Sequence, residues 1–148
     1  MSDDCLICKR IKMIGNGSNP YFVRELDTGY VVIGDYQTYR GYSLFLSKEH
    51  AEELHELDDD FRKRFLEEMS VVAEAVYRAF NPDKMNYELL GNTDRHVHWH
   101  LFPRRKNDDK AHTAVWAVRR EKRMRKPTTK ELNELKKRLG NELSKLID

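Results

Sequence analysis

The sequence predicts an α+β fold built on an antiparallel sheet of about five strands. Five short segments rich in β-branched and aromatic residues are bounded by turn signals, which is typical of strands. Two longer segments carry apolar residues at helical spacing, which predicts a long central helix and a C-terminal helix. At 148 residues the chain has the length of one domain. We expect residues 1–118 to form this domain, and residues 119–148 to add a basic segment and a helix that packs on it or extends from it.

The strands are predicted from alternation and from the turns between them. They cover residues 21–26, 30–34, 42–47, 85–90 and 96–103. A turn signal at residues 27–29 predicts that the first two strands form a hairpin. The last strand alternates histidines with apolar residues, so the imidazoles share one face and the apolar side chains pack against a core. The histidines are His96, His98 and His100, and the apolar residues are Val97, Trp99 and Leu101.

Both predicted helices have clear start signals. The central helix should begin at Asp58 or Asp59 and end at residues 81–82, where asparagine precedes proline. Its apolar stripe consists of Phe61, Phe65, Met69, Val72, Val76 and Phe80, and we interpret it as packing against the sheet. The C-terminal helix should begin with a capping box of Thr128 and Glu131. Its stripe consists of Leu132, Leu135, Leu139, Leu143 and Leu146.

Charge and composition limit the class of protein. The net charge is +2, but residues 119–126 carry six cationic side chains and one acidic side chain. The rest of the chain is therefore slightly acidic, which makes nucleic acid an unlikely partner. The basic segment could hold an anionic substrate, nucleic acid or another protein, although such segments are more often solvated linkers. No apolar stretch approaches the roughly 18 residues of a membrane span, and the N-terminus lacks signal-peptide features, so we expect a cytoplasmic protein without membrane attachment.

Cys5 and Cys8 form a C-x-x-C motif near the N-terminus. In a reducing compartment this motif indicates metal binding or redox chemistry rather than a structural disulfide. Two inert thiols are an alternative interpretation. A thioredoxin-like motif is a weaker one, because no strand is predicted before the cysteines and no helix is predicted to begin at them.

The row of three histidines has two chemical interpretations. Neutral imidazoles two residues apart on a strand can bind zinc. One imidazole can instead act as a nucleophile near neutral pH, with a second acting on the same substrate atom. The spacing alone does not distinguish these two possibilities.

Three segments resemble the histidine triad (HIT) superfamily. Residues 96–102 have the form His-φ-His-φ-His-φ-φ that names the superfamily, where φ is apolar. Residues 41–50 resemble its Gly-x-x-φ-φ-φ-Pro-Lys-x-His segment, with Ser47 in place of the proline, and the Cys5–Cys8 motif resembles the opening of many members. The resemblance covers roughly residues 5–105 and is strongest to bacterial HIT proteins described as diadenosine polyphosphate hydrolases.

The resemblance implies a role for each matching residue. His98 would attack the α-phosphorus of a nucleotide and form a nucleotidyl-imidazole intermediate, which water then hydrolyses. His100 would lie beside the same phosphate and assist with charge or protons. Asp35 would accept hydrogen bonds from the ribose hydroxyls, and Asn92 and Thr93 would donate to phosphate oxygens.

The resemblance also implies a structural zinc ion. Its ligands would be Cys5, Cys8, His50 and His96, which form a tetrahedral donor set. His96 would then be a structural residue and would not take part in catalysis. No organic cofactor is expected.

The expected activity is hydrolysis or transfer at the α-phosphate of a nucleoside 5′-phosphate conjugate. Dinucleoside polyphosphates such as diadenosine tetraphosphate are the favoured substrates, and nucleoside phosphoramidates are the alternative. A nucleotide-binding regulatory module with little turnover is a further alternative, and we expect a homodimer. Arg95, Arg104 and Arg105 are candidates to attract polyphosphate, whereas Trp116 is expected to pack in the core.

Overall fold

A computed structural model of the protein, described here for residues 4–148, confirms the predicted α+β class. Its strands are β1 (Phe22–Glu25), β2 (Gly29–Ile33), β3 (Ser43–Ser47), β4 (Lys84–Glu88) and β5 (His98–Arg104). They form one antiparallel five-stranded sheet in the order β1-β2-β3-β5-β4. Its α-helices are α1 (Leu6–Gly15), α2 (Asp59–Phe80) and α3 (Thr129–Ile147).

Alternation along β2 and β3 separates the two faces of the sheet. Val31 and Phe45 belong to a large core formed with α2 and α3. Val32 and Leu46 point to the opposite face and pack against α1. The sheet therefore has a closed core on one face, and on the other a short helix that leaves part of the surface accessible.

The two predicted helical stripes pack in this core. Phe65, Val72 and Val76 of α2 are fully buried, and Asn81 ends the helix in the left-handed conformation, which asparagine adopts more readily than most residues. The hydroxyl of Thr128 accepts a hydrogen bond from the Glu131 backbone N–H, so that half of the predicted capping box is present. The other half is absent, because the Glu131 carboxylate pairs with Arg125.

The prediction that no helix begins at the cysteines is wrong. Helix α1 starts at Leu6, and the sulfur of Cys5 caps it by accepting a hydrogen bond from the Cys8 backbone N–H at 3.2 Å. Cysteine is not one of the usual capping residues, so the sequence gives no start signal here. A helix of ten residues is marginal in water, and packing of Ile7 and Ile11 on the sheet supplies its stability.

The histidine strand is shorter at its start than predicted. Regular pairing begins at His98. Just before it, two backbone hydrogen bonds hold Val97: its N–H donates to the Ala51 carbonyl, and its carbonyl accepts from the Ser47 N–H. Val97 and Leu101 are buried in the large core and Trp99 packs against it, as the alternation predicts. The imidazoles of β5 therefore lie on the face that carries α1.

Residues 105–128 cross the molecule from β5 to α3 without regular strands. Two short 3-10 turns, Val115–Ala117 and Arg120–Arg123, interrupt this segment. Arg125 anchors its end, because its carbonyl accepts from the Gln37 N–H and its guanidinium donates to the Gln37 carbonyl. No helix within residues 4–148 is both long enough and apolar enough to cross a membrane.

Candidate active site

Two imidazoles meet at the centre of the open face of the sheet. His98 and His100 on β5 lie opposite Leu46 and Leu44 of β3, and their ring centroids are 4.8 Å apart. Because β5 is paired on both sides, by β3 and β4, its backbone is held firmly along this stretch. The two histidines therefore have a rigid base.

The backbone selects the protonation state of His98. Its Nδ1 lies 2.5 Å from the carbonyl oxygen of His96, and His98 is buried. A carbonyl can only accept, so Nδ1 carries the hydrogen and donates it. In the neutral ring this leaves the lone pair on Nε2, which is the arrangement that a nucleophile requires.

His100 is neutral at physiological pH. Burial, together with the nearby His98, lowers its pKa from 6.5 to about 3. Its Nδ1 lies 2.7 Å from the hydroxyl of Tyr42, and burial raises the pKa of that hydroxyl, so it stays protonated. The site therefore offers two imidazoles side by side, and His100 is the one that burial keeps neutral.

A largely apolar cavity of about 270 Å³ opens on one side of this pair. Leu44 and Leu46 form its floor, and Leu6 and Ile7 of α1 form a wall. Its size is near the lower limit for a small-molecule site.

Asp35 lies in this cavity, as the resemblance requires, but it is already paired. Both oxygens of Asp35 accept from the Arg10 guanidinium, at 3.0 and 2.6 Å, and Arg10 also lies over the Tyr21 ring. A carboxylate has about four acceptor positions, so two remain for a ligand. Arg10 thus orients the carboxylate without occupying all of it.

A second cavity, of about 280 Å³, opens on the other side of His98 and His100. Asn92 and Thr93 line it and are exposed. The structure therefore brings both predicted phosphate-contacting residues next to the histidines.

Trp116 closes one side of this second cavity, so the expectation that it packs in the core is wrong. It is 42% exposed, and its ring meets His100 edge-on at 5.6 Å. Its indole N–H donates to Glu88, and the Arg123 guanidinium lies over the indole ring at 4.9 Å. The neighbouring Val115 takes the buried position instead.

The three arginines proposed to attract polyphosphate are engaged elsewhere. Arg95 pairs with Glu52, and Arg105 donates to the backbone carbonyls of residues 40 and 80. Arg104 is buried and pairs with Asp108 at 3.0 Å. None of the three lines either cavity, and the arginine that does line the apolar cavity, Arg10, is paired with Asp35.

A cluster of four possible metal ligands adjoins the site. The ligand atoms of Cys5, Cys8, His50 and His96 all lie within 4.8 Å of one another. His96 Nε2 donates to the Ser47 carbonyl at 2.7 Å, which leaves the lone pair of Nδ1 facing the two sulfurs. Burial also lowers the pKa of His96, which keeps the ring neutral.

The spacing of these atoms fits a tetrahedral ion. Zinc bound by nitrogen at about 2.0 Å and sulfur at about 2.3 Å would separate nitrogen pairs by about 3.3 Å and nitrogen–sulfur pairs by about 3.5 Å. The two Nδ1 atoms are 3.1 Å apart, and three nitrogen–sulfur distances lie between 3.3 and 3.5 Å. The cluster therefore could hold a metal ion with little rearrangement.

Sequence reasoning missed three residues of the site, namely Arg10, Tyr42 and Trp116. Arg10 was hidden because α1 was not predicted, and Trp116 because an apolar stretch normally indicates burial. Tyr42 could have been found, because it shares alternation with Leu44 and Leu46 on the strand that pairs with the histidines.

Comparisons with known proteins agree with this geometry. The HIT domain family matches residues 21–107. Adenosine 5′-monophosphoramidase hnt1 of Schizosaccharomyces pombe is 30% identical over 108 residues, which are 68% of this chain and 74% of that protein.

Two solved structures share the fold. A histidine triad protein from Bradyrhizobium japonicum superposes with a TM-score of 0.75 at 23% identity, covering 82% of this chain and 89% of the other. A zinc-bound histidine triad family protein from Mycobacterium smegmatis gives 0.69 at 21% identity, covering 97% and 95%. Since the family match spans more than half of the chain and includes the alternating histidines of β5, this protein belongs to the histidine triad (HIT) family.

Proposed function

We propose that this protein is a hydrolase that releases a nucleoside monophosphate from nucleoside 5′-phosphate conjugates. One observation carries the proposal: two adjacent imidazoles, His98 and His100, lie where two cavities meet. A substrate that occupies both cavities places the atom between its two halves at the histidines. In a nucleotide conjugate, that atom is the α-phosphorus.

The reaction has two displacements. The Nε2 lone pair of His98 attacks the α-phosphorus, the bond to the leaving group breaks, and the leaving group takes the electron pair. The ring then carries the nucleotide on Nε2 and a hydrogen on Nδ1, and its positive charge is stabilised by the His96 carbonyl at 2.5 Å. Water next attacks the phosphorus, the bond to Nε2 breaks, and a proton is released to solvent.

The two cavities have different roles in this proposal. The apolar cavity takes the nucleoside, with the free acceptor positions of Asp35 for the ribose hydroxyls. Asn92 and Thr93 lie on the other side, where they donate to phosphate oxygens. The leaving group then lies against Trp116.

Two substrates with different leaving groups should be compared directly. Adenosine 5′-phosphoramidate comes first, because the S. pombe relative is named as a monophosphoramidase. Diadenosine tetraphosphate, which the sequence resemblance favours, comes second. The half-exposed indole of Trp116 supports it, because a second nucleobase could stack there.

The four-ligand cluster is proposed to hold zinc in a structural role. When bound, the ion would crosslink the chain between α1 and the start of β5, and it would supply no catalytic group. Support comes from the donor set and its spacing, and from the zinc-bound M. smegmatis protein.

A homodimer is also proposed. Strand β4 lies at the edge of the sheet, and Tyr87 on it is exposed, so this edge is open to a second copy. Light scattering in solution would give the mass directly.

The deciding experiment follows AMP release from both substrates by the wild type, His98→Ala and His112→Ala. His112 is an exposed histidine that lines neither cavity of the site, so it is the matched control. We expect His98→Ala to lose nearly all turnover and His112→Ala to keep it. Rapid quench of the wild type in alkali, in which a nucleotidyl-imidazole bond survives, should give a protein heavier by one nucleotidyl group, and His98→Ala should not.

The outcomes separate the alternatives. Equal turnover in the wild type and His98→Ala would refute the proposed nucleophile. AMP binding by calorimetry without turnover on either substrate would indicate a binding module instead of an enzyme.

A further inference from the structure

The hydroxyl of Tyr42 lies against one of the two ring nitrogens of His100, Nδ1. The Tyr42 oxygen and His100 Nδ1 are 2.7 Å apart. The Tyr42 ring stacks on Phe102, with centroids 4.0 Å apart and planes 6° apart. Its other side is packed against Gly34, where any Cβ would overlap the ring. The hydroxyl is therefore held in one place.

The partners available to the Tyr42 hydroxyl indicate whether the hydrogen of this bond lies on the Tyr42 oxygen or on His100 Nδ1. Among residues 4–148, His100 is the only hydrogen-bond partner of the Tyr42 hydroxyl. If His100 Nδ1 donated to the phenol oxygen, the phenol hydrogen would be left without a protein acceptor, which is costly in a desolvated position. If the hydroxyl donates to Nδ1, both groups are satisfied. The single hydrogen of the neutral His100 ring is then on Nε2.

We propose that Tyr42 is a positioning residue that holds His100 in the Nε2–H tautomer. This inference rests on the proposed hydrolase function, since it assigns a task to the second histidine of that site. In this tautomer, Nε2–H is the free edge of the ring and donates to an oxygen of the bound phosphate. The opposite tautomer would turn a lone pair toward that oxygen and repel it.

The two imidazoles then have complementary states. His98 is held by a carbonyl, so its hydrogen is on Nδ1 and its lone pair on Nε2. His100 is held by a hydroxyl, so its lone pair is on Nδ1 and its hydrogen on Nε2. The different partners of the two Nδ1 atoms thus make one ring a nucleophile and its neighbour a donor. The lowered pKa of His100 agrees with a neutral donor in this position.

The test is Tyr42→Phe, which keeps the ring stacked on Phe102 and removes one oxygen. Loss of a group that orients a reacting side chain typically lowers activity about 10- to 100-fold. We expect kcat for AMP release to fall in this range while KM changes less than about threefold, because the Tyr42 hydroxyl is engaged by His100 and the Tyr42 ring, which lines the nucleoside cavity, is kept in Tyr42→Phe. Tyr39→Phe is the matched control, because Tyr39 belongs to the same aromatic cluster and contacts Phe102 but has no hydrogen bond to His100.

A second measurement does not depend on activity. Nitrogen NMR of histidine-labelled protein distinguishes the two neutral tautomers of each ring. In the wild type and in Tyr39→Phe, His100 should be in the Nε2–H form. In Tyr42→Phe, it should become a mixture of both forms.

Two results would overturn the assignment of Tyr42. One is a wild-type His100 in the Nδ1–H form, and the other is a Tyr42→Phe protein with unchanged His100 spectra and unchanged kcat. Failure of the hydrolase proposal can be told apart from failure of the Tyr42 assignment. Full turnover in His98→Ala would refute the hydrolase mechanism, and the nitrogen spectra would still report on the His100 tautomer that Tyr42 selects.

Discussion

Burial of His100 should make the protein less stable in mild acid, and His100→Asn should remove part of this sensitivity. The pKa of His100 is lowered from 6.5 to about 3, mainly by burial. Because the folded pKa lies below the unfolded one, the unfolded state takes up a proton first as the pH falls. The contribution of His100 to stability is therefore complete above its unfolded pKa of 6.5 and is lost as the pH falls toward about 3.

The magnitude follows from the two pKa values. One pKa unit corresponds to about 1.4 kcal/mol, so lowering the pH from about 7.5 to about 5 should cost about 2 kcal/mol through His100 alone. This value is an upper limit, because His100 lines two open cavities and solvent there screens the charged ring.

Urea unfolding at the two pH values measures this effect. Wild type, His100→Asn and His112→Asn are compared after the same chelator treatment, so that metal loss in acid does not differ between them. Asparagine leaves an acceptor near the position of Nδ1 for the Tyr42 hydroxyl. Wild type and His112→Asn should lose more stability than His100→Asn on acidification, by up to about 2 kcal/mol. An equal loss in all three proteins would refute the argument.

Two further predictions concern the parts of the chain around the site. Metal removal should loosen α1, as measured by hydrogen exchange of its backbone amides. In the zinc-loaded wild type these amides should be protected, and Cys8→Ser should lose both the zinc and the protection. His55→Ala, a control at an exposed histidine, should keep both. Unchanged α1 protection after chelation would contradict this. Leu139→Ala in α3 should destabilise the protein by about 3 kcal/mol in one cooperative transition, because Leu139 has no exposed surface, whereas Ile147→Ala, 41% exposed, should change little. Two separate thermal transitions by calorimetry would show that α3 unfolds apart from the sheet.

The sheet and the long helices could be predicted because their signals are local. Alternation at residues 42–47 located β3, which spans Ser43–Ser47, and the apolar stripe and terminal asparagine located α2, which spans Asp59–Phe80. Helix α1 could not be predicted in this way. Its cap is a cysteine sulfur, and its stability comes from packing on β2 and β3 rather than from its own sequence.

The site was predictable only where one motif contains it. The alternation of His98 and His100 on one face follows from strand geometry. The partners that define their chemistry come from distant parts of the chain: Tyr42 is 58 residues before His100, and Arg10 is 25 residues before Asp35. No local pattern encodes such pairings, since they depend on which strands and helices become neighbours.

Helix α1 links the two sites that the histidine strand brings together. Cys5 and Cys8 of the four-ligand cluster lie at its N-terminal end, and Ile7 and Arg10 from its first two turns line the apolar cavity. A helix of this length does not hold its position by propensity alone. The wall of the cavity, and through Arg10 the orientation of Asp35, therefore depend on what anchors α1. Packing of Ile7 and Ile11 holds it, and an ion in the proposed four-ligand site would add an anchor through His96, two residues before the proposed nucleophile. The proposed metal site and the proposed active site would then share helix α1 and the stretch of chain that leads into β5.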